Sequence, residues 1–257
     1  MSIRQIVRAA LAFCALGAFA GPAVAQINGT PHDLGSGLTG AGTDNNEVCV
    51  YCHTPHGART DIEAPLWNKP AGTASYQTYD STTIDGEVLS VGSVSIACLT
   101  CHDGTQARDA VINAPGSGIG QGFARGGAVT NIGPISNGIA NLGEDLRNDH
   151  PIGIQYGGFD PGTGQIDADF KNNTNGLDTE TGGTLPRWWV DTEIAPNGVR
   201  NKSDMILYTR DNSGTNQPFV ECASCHDPHV GNAGANGLNF MRISNSDSAV
   251  CLACHVK

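Results

Sequence analysis

Hydrophobic residues in this chain fall into one long apolar run near the start and many short stretches after it. The long run is Ala9 to Ala20. Beyond it no 3.6-residue periodicity is sustained, and polar–apolar alternation is confined to short runs such as Thr130 to Ile139 and Met205 to Thr209. This pattern predicts mostly irregular coil with short helices and a few short strands. The long segment 103–221 is unlike a folded enzyme domain.

The first 25 residues have the features of a secretory signal peptide. Arg4 and Arg8 precede the apolar run, and Ala23-Val24-Ala25 supplies a small-residue cleavage site before Gln26. We therefore expect residues 1–25 to be removed and residues 26–257 to form a single exported domain. No later apolar stretch is long enough to cross a bilayer, so we predict no membrane span in the mature chain.

Composition limits what can fill the core. The chain is 39% apolar and 6% aromatic, with 34 Gly, 13 Pro and a net charge of −11. Without the leader, aliphatic and aromatic side chains make up about a third of the residues, which is little for a domain of this size to offset its ordering entropy. We therefore expect something other than side chains to fill the core. The acidic charge argues against a nucleic-acid or anionic-membrane partner.

Eight of the nine cysteines form four C-x-x-C-H motifs. Such pairs in an exported chain could be disulfides, zinc ribbons or haem attachment sites, and the histidine after every pair favours haem. On one helical turn two thiols can reach the two vinyl groups of a porphyrin while the imidazole faces the iron. We therefore predict four covalently attached haem c groups. The motifs are Cys49/Cys52/His53, Cys98/Cys101/His102, Cys222/Cys225/His226 and Cys251/Cys254/His255.

The other four histidines supply one further axial ligand for each iron. They are His32, His56, His150 and His229. Their order relative to the motifs repeats, so the chain contains two-haem repeats around 32–102 and 150–255. Residues 52–56 also match 225–229, and residues 95–99 match 248–252.

Spacing constrains which iron each histidine can reach. His56 follows His53 by three residues and lies on the same side of the first porphyrin, so it must serve a neighbouring haem. The same argument applies to His229. We expect His56 to ligate the second haem and His229 the fourth, which leaves His32 for the first and His150 for the third. Because histidines suffice, Met205 and Met241 are interpreted as packing residues. The larger aromatic residues are assigned to haem faces or a small core, namely Trp67, Trp188, Trp189, Phe219 and Phe240.

Several segments resemble the paired C-x-x-C-H multihaem cytochromes, in particular the tetrahaem c-type cytochromes that polymerise into extracellular filaments, the cytochrome nanowires. The resemblance implies a chain wrapped around four stacked bis-histidine haems. It also implies head-to-tail polymerisation in which one haem takes a histidine from the adjacent subunit. We carry that role onto His32, with the alternative that it ligates within its own chain. The segments are Thr30 to Leu34, Cys49 to Gly57, Cys98 to Thr105, His150 to Gly153, Cys222 to His229 and Phe240 to Arg242.

Three functions are compatible with a tetrahaem chain. The first is a secreted conductor, at the cell surface or beyond it, that passes electrons to an external acceptor. The second is a monomeric periplasmic carrier that docks to redox partner proteins. The third, a multihaem reductase, would need an open coordination position, and eight histidines for four irons leave none. We therefore predict an electron-transfer protein without catalytic residues.

Overall fold

The structure is a computed structural model. It describes residues 27–35, 48–114, 124–125, 132–193, 195–230 and 240–256. The predicted signal peptide, residues 1–25, lies outside these ranges. Within them the backbone is mostly irregular, as the sequence pattern predicted, and no helix there is long and apolar enough to cross a membrane.

Three short α-helices coincide with three of the four motifs. They are α1 (Ser95–His102), α2 (Cys222–Cys225) and α3 (Ala249–Cys254). Single 3-10 turns occur at Tyr156–Gly158 and Ser246–Ser248. The first motif does not form the expected helix. The segment from Cys49 to His53 forms only one hydrogen-bonded turn.

The described residues contain seven strands in two sheets. The strands are β1 (Ala110–Val111), β2 (Ala124–Arg125), β3 (Ile154–Gln155), β4 (Leu177–Glu180), β5 (Arg187–Val190), β6 (Met205–Asn212) and β7 (Thr215–Val220). β1 and β2 pair in parallel, and the other five form an antiparallel sheet in the order β3-β7-β6-β5-β4, which is more regular structure than the sequence predicted for the long middle segment. The run Met205 to Thr209 lies in β6 as expected, whereas 132–139, the described part of the other alternating run, contains no strand.

The β6–β7 hairpin sets the register of the larger sheet. Its two loop residues, Ser213 and Gly214, both have positive φ, of 56° and 84°. Two consecutive residues of this kind make the turn whose twist matches that of paired strands. The hairpin is therefore closed tightly, with Asn212 opposite Thr215. Its second strand ends at Val220, two residues before the first cysteine of the third motif.

The apolar core is divided into small clusters that reach the motif cysteines. In the largest, Val190, Met205 and Leu207 of the sheet pack with Trp188 and Ala253, and Cys225 and Cys254 border them. Cys52 borders two further clusters, around Tyr51 and around Trp67. The five aromatic residues named above are all buried, and Met205 is a packing residue as predicted. Three motif cysteines, Cys52, Cys225 and Cys254, therefore lie at the edges of these clusters.

Replacing Met205 by Ala tests the packing of this sheet. Met205 is fully buried, so its truncation should lower the free energy of unfolding by roughly 2–5 kcal/mol. Chemical denaturation of the purified protein measures the change, and its absorption spectrum should stay unaltered. Val199→Ala, at a side chain that is 62% exposed, is the matched control and should change stability little. A loss of low-spin character in Met205→Ala would instead make this methionine an iron ligand.

Candidate functional site

Each motif outside α1 is closed by the same backbone hydrogen bond. The amide of the histidine donates to the carbonyl of the first cysteine, four residues earlier, which is the bond of one α-helical turn. In the second motif the same five residues lie inside α1. All four motifs therefore present two thiols and an imidazole from one turn of chain. The three bonds are His53 to Cys49 at 2.9 Å, His226 to Cys222 at 3.2 Å and His255 to Cys251 at 2.9 Å.

The first and third motifs share a second feature, which the match between the two halves of the sequence did not show. In each, a later segment pairs in antiparallel fashion with the end of the motif, at Trp67 beside His53 and at Met241 beside His226. The residues that turn into these segments, Leu66 and Phe240, have positive φ of 56° and 61°. We call this pairing the clamp. Its four bonds are Thr54 N to Leu66 O (2.8 Å), Asn68 N to Cys52 O (2.8 Å), Asp227 N to Phe240 O (2.8 Å) and Arg242 N to Cys225 O (2.9 Å).

Four imidazoles are oriented by hydrogen bonds at Nδ1. Where Nδ1 donates to an acceptor, Nε2 carries the free lone pair and becomes the metal-binding nitrogen. Three acceptors are backbone carbonyls, which no sequence signal could have identified. The bonds are His53 to Pro65 O (2.6 Å), His102 to Ala140 O (2.7 Å), His150 to Pro151 O (2.9 Å) and His229 to Asp227 Oδ1 (3.1 Å).

Two pairs of imidazoles lie at closely similar separations. The ring centroids of His53 and His229 are 6.0 Å apart with an interplanar angle of 20°, and those of His32 and His102 are 6.1 Å apart at 74°. His32 also stacks on Phe240 at 4.1 Å. Burial, followed by the nearby His102, His229 and His226, lowers the pKa of His32 to about 4. A neutral imidazole is the form that binds a metal.

These neighbours differ from the pairing expected from the sequence. We expected His229 to serve the fourth haem and His32 the first, yet each lies beside the histidine of a different motif. The expectation kept the two halves of the chain apart, whereas α1 and α2 are in contact and join them. His56 and His150 are both exposed, and no ring among the described residues packs against either of them.

None of the eight motif cysteines forms a disulfide, and several are partly buried close to a cysteine of another motif. The Cys98 thiol shares a hydrogen bond with that of Cys222, and this bond together with burial raises the pKa of Cys98. Burial raises the pKa of Cys52 to about 11, with Cys101 of the second motif close enough to contribute. It likewise raises that of Cys254 to about 12, with Cys225 nearby. The attachment points thus form a continuous series from the first motif to the fourth.

A buried polar junction fixes the second motif against the third. The Ser95 hydroxyl donates to a carboxylate oxygen of Glu221 and accepts the Cys222 amide at 3.0 Å. Arg210 pairs with the other Glu221 oxygen at 3.1 Å. Glu221 also caps α2 through Ser224. No sequence signal indicated this junction, because Glu221-x-x-Ser224 reverses the Ser-x-x-Glu order that is typical of a helix start.

The arrangement suits a covalently attached porphyrin better than a chelated ion. Among the described residues no three His, Cys, Asp or Glu side chains converge as a metal site. Instead each motif provides two unpaired thiols and one imidazole, and separate imidazoles lie opposite two of the motif histidines. This donor set fits haem c, which needs two thioether links and axial nitrogen ligands.

Comparison with known proteins agrees with this chemistry. The family described as "Doubled CXXCH motif" matches residues 217–257, which contain the third and fourth motifs. The match supports a multihaem c-type cytochrome family with covalently bound haem c and a function in electron transfer. A search of curated proteins finds no match.

Glu221 gives the junction a measurable pH dependence. Burial raises the pKa of its carboxyl from 4.5 to about 7, although Ser95 and Arg210 act in the opposite direction. Between these values the unfolded chain has lost a proton that the folded chain retains, so stability falls as pH rises through this window, by about 3 kcal/mol at most. Unfolding of the wild type and of Glu221→Gln, followed from pH 4 to 8, measures it.

The difference in stability between wild type and Glu221→Gln should change across that window and level off above it. The matched control is Glu180→Gln, because the Glu180 side chain is 60% exposed and pairs only with an exposed arginine. It should reproduce the wild-type slope. A Glu221→Gln protein with the wild-type slope would show that folding does not raise the pKa of Glu221.

Proposed function

We propose that this chain is a bis-histidine tetrahaem c-type cytochrome that transfers electrons. The observation that carries the proposal is the set of four C-x-x-C-H turns, two of whose histidines, His53 and His102, have a further imidazole at about the separation that one iron requires. Eight cysteines and eight histidines supply two thiols and two imidazoles for each of four haems. The family match covers only the third and fourth motifs, so the count of four rests on the sequence.

The chain's own residues perform three tasks in this function. The cysteines fix the position of each group through two covalent links. Four of the imidazoles are oriented by bonds at Nδ1 and present Nε2 for ligation, and eight histidines would be enough to give each of four irons two ligands. The clusters around Met205, Tyr51 and Trp67 pack against Cys52, Cys225 and Cys254 and keep these three cysteines partly buried. When bound, haem c supplies a one-electron Fe(III)/Fe(II) couple, whose potential depends on axial ligation, hydrogen bonding and burial.

Electron transfer over a chain of cofactors requires short distances between them. Each motif has a cysteine close to a cysteine of the next motif. The pairs are Cys52 and Cys101, Cys98 and Cys222, and Cys225 and Cys254. This series supports a function as an electron conductor or carrier. With both axial positions filled, a reductase is the weaker candidate.

We further propose that the mature protein is exported and polymerises head to tail into an extracellular filament. The signal-peptide pattern in residues 1–25 supports export, and the resemblance to cytochrome nanowires supports the filament. A contact between two different surfaces that does not close on itself generates an open polymer. External electron acceptors or redox proteins are the partners of such a filament.

A monomeric periplasmic carrier is the second candidate, and one observation favours it. His32, onto which the resemblance placed the ligand shared between subunits, lies 6.1 Å from His102 of its own chain. With that histidine used internally, a complete ligand set needs no second subunit.

Haem content and spin state test whether the protein is a bis-histidine tetrahaem cytochrome. Protein produced in a host with c-type cytochrome maturation should contain four haems by pyridine haemochrome assay and mass. Oxidised protein should give only low-spin signals by electron paramagnetic resonance and should not bind carbon monoxide when reduced. A high-spin haem in the native protein would instead indicate an open position and a reductase.

Negative-stain microscopy separates the two electron-transfer candidates. The filament proposal predicts ordered fibres of uniform width in concentrated, haem-loaded protein. Monodisperse particles of monomer size at every concentration would reject the filament and leave the carrier. Val199→Ala, at an exposed position outside the motifs, provides a control for purification effects.

A further inference from the structure

We propose that His229 shares an iron with His53, in the other half of the chain, and that His32 shares an iron with His102, in its own half. The inference deepens the proposed function and rests on it, because it presumes bis-histidine haems. It assigns a role to two histidines that lie far in sequence from the motifs they serve.

The separations of the two ring pairs carry the assignment. Two imidazoles that bind one metal from opposite sides, each with a metal–nitrogen distance of about 2 Å and a ring radius of about 1 Å, have centroids roughly 6 Å apart. The observed separations are 6.0 Å and 6.1 Å. Both separations match this value, whereas rings stacked face to face, such as His32 and Phe240, are 4.1 Å apart. Edge contacts such as His53–Trp67 occur at 6.3 Å, so the orientation of the rings matters as well as their separation.

Ring orientation supports the same conclusion. Nδ1 of His53, His102 and His229 is engaged by Pro65, Ala140 and Asp227 respectively. Three of the four rings thus present Nε2 as the free nitrogen. Phe240 packs flat against the fourth ring, that of His32, and fixes its plane.

The clamp extends the assignment to the other two irons. The first and third motifs have the same clamp in the same register, so His53 corresponds to His226 and His56 to His229. If the repeat also relates the halves in space, the pair His53–His229 implies His226–His56. In the same way His102–His32 implies His255–His150. Every histidine is then used once, and the first and third haems exchange ligands reciprocally.

Removing one ligand together with one haem tests which iron His229 binds. In His229→Ala one of the four haems should become high-spin. Adding Cys49→Ala and Cys52→Ala, which prevents attachment of the first haem, should give a three-haem protein in which that high-spin signal is lost. The matched control adds Cys251→Ala and Cys254→Ala instead, and it should keep three haems with the signal present.

The opposite result would overturn the proposal. If the signal persists without the first haem and disappears without the fourth, His229 ligates the fourth haem. The parallel set for His32 removes either Cys98 and Cys101, which should abolish the signal of His32→Ala, or Cys49 and Cys52, which should not. A wild-type protein without haem would refute the proposed function itself. Four low-spin haems in the wild type, together with a high-spin signal in His229→Ala that persists without the first haem, would refute only the pairing.

Nuclear magnetic resonance of the fully reduced wild type tests the pairing without substitutions. Low-spin Fe(II) haems are diamagnetic, so the ring protons of both axial histidines should show nuclear Overhauser effects to the same porphyrin. His53 and His229 should share one porphyrin, and His32 and His102 another. Overhauser effects from His53 and His229 to different porphyrins would contradict the proposal even if a variant fails to fold.

Discussion

Pairs of imidazoles whose ring centroids approach to about 6 Å are the constraint on which the rest of this structure depends. His53 and His229 are separated by most of the sequence, as are the two motifs that hold them, and yet their rings lie 6.0 Å apart. That approach requires the turn of each motif to be closed, its end to be clamped by a later segment, and the two halves of the chain to be joined. The backbone bonds of the motifs, the clamps beside Trp67 and Met241, and the buried Ser95–Glu221 bond meet these three requirements in turn.

The scarcity of apolar side chains has a structural counterpart. The buried residues form separate small clusters, and each of the three is bordered by a cysteine of a C-x-x-C-H motif. A core divided in this way buries less apolar surface than a single core of the same size. In the proposed cytochrome, four porphyrins attached at the motif cysteines would supply the missing contacts. Folding and haem attachment would then be coupled, as metal binding and folding are in small metalloproteins.

The sequence predicted the chemistry of the site better than its connectivity. The cysteines and histidines were identified from spacing because one helical turn is a local structure, and the same local rule predicted the helices at Cys98, Cys222 and Cys251. The alternation from Met205 to Thr209 indicated part of β6. The five-stranded sheet was not predicted, because strands such as β5 and β7 lack polar–apolar alternation. The Nδ1 acceptors Pro65 and Ala140 were not predicted, because a backbone carbonyl leaves no signal in the sequence. The proximity of His229 to His53 was not expected either, since it depends on how the two halves meet, as at Ser95 and Glu221, 126 residues apart.

The most direct test of this account is a high-resolution structure of the haem-loaded protein, from a crystal or from cryo-electron microscopy. The account predicts four porphyrins, with Nε2 of His53 and of His229 on opposite sides of the same iron and Nε2 of His32 and of His102 on opposite sides of another. A structure in which His229 binds the iron of His255, or in which His32 binds an iron of the neighbouring subunit, would contradict it.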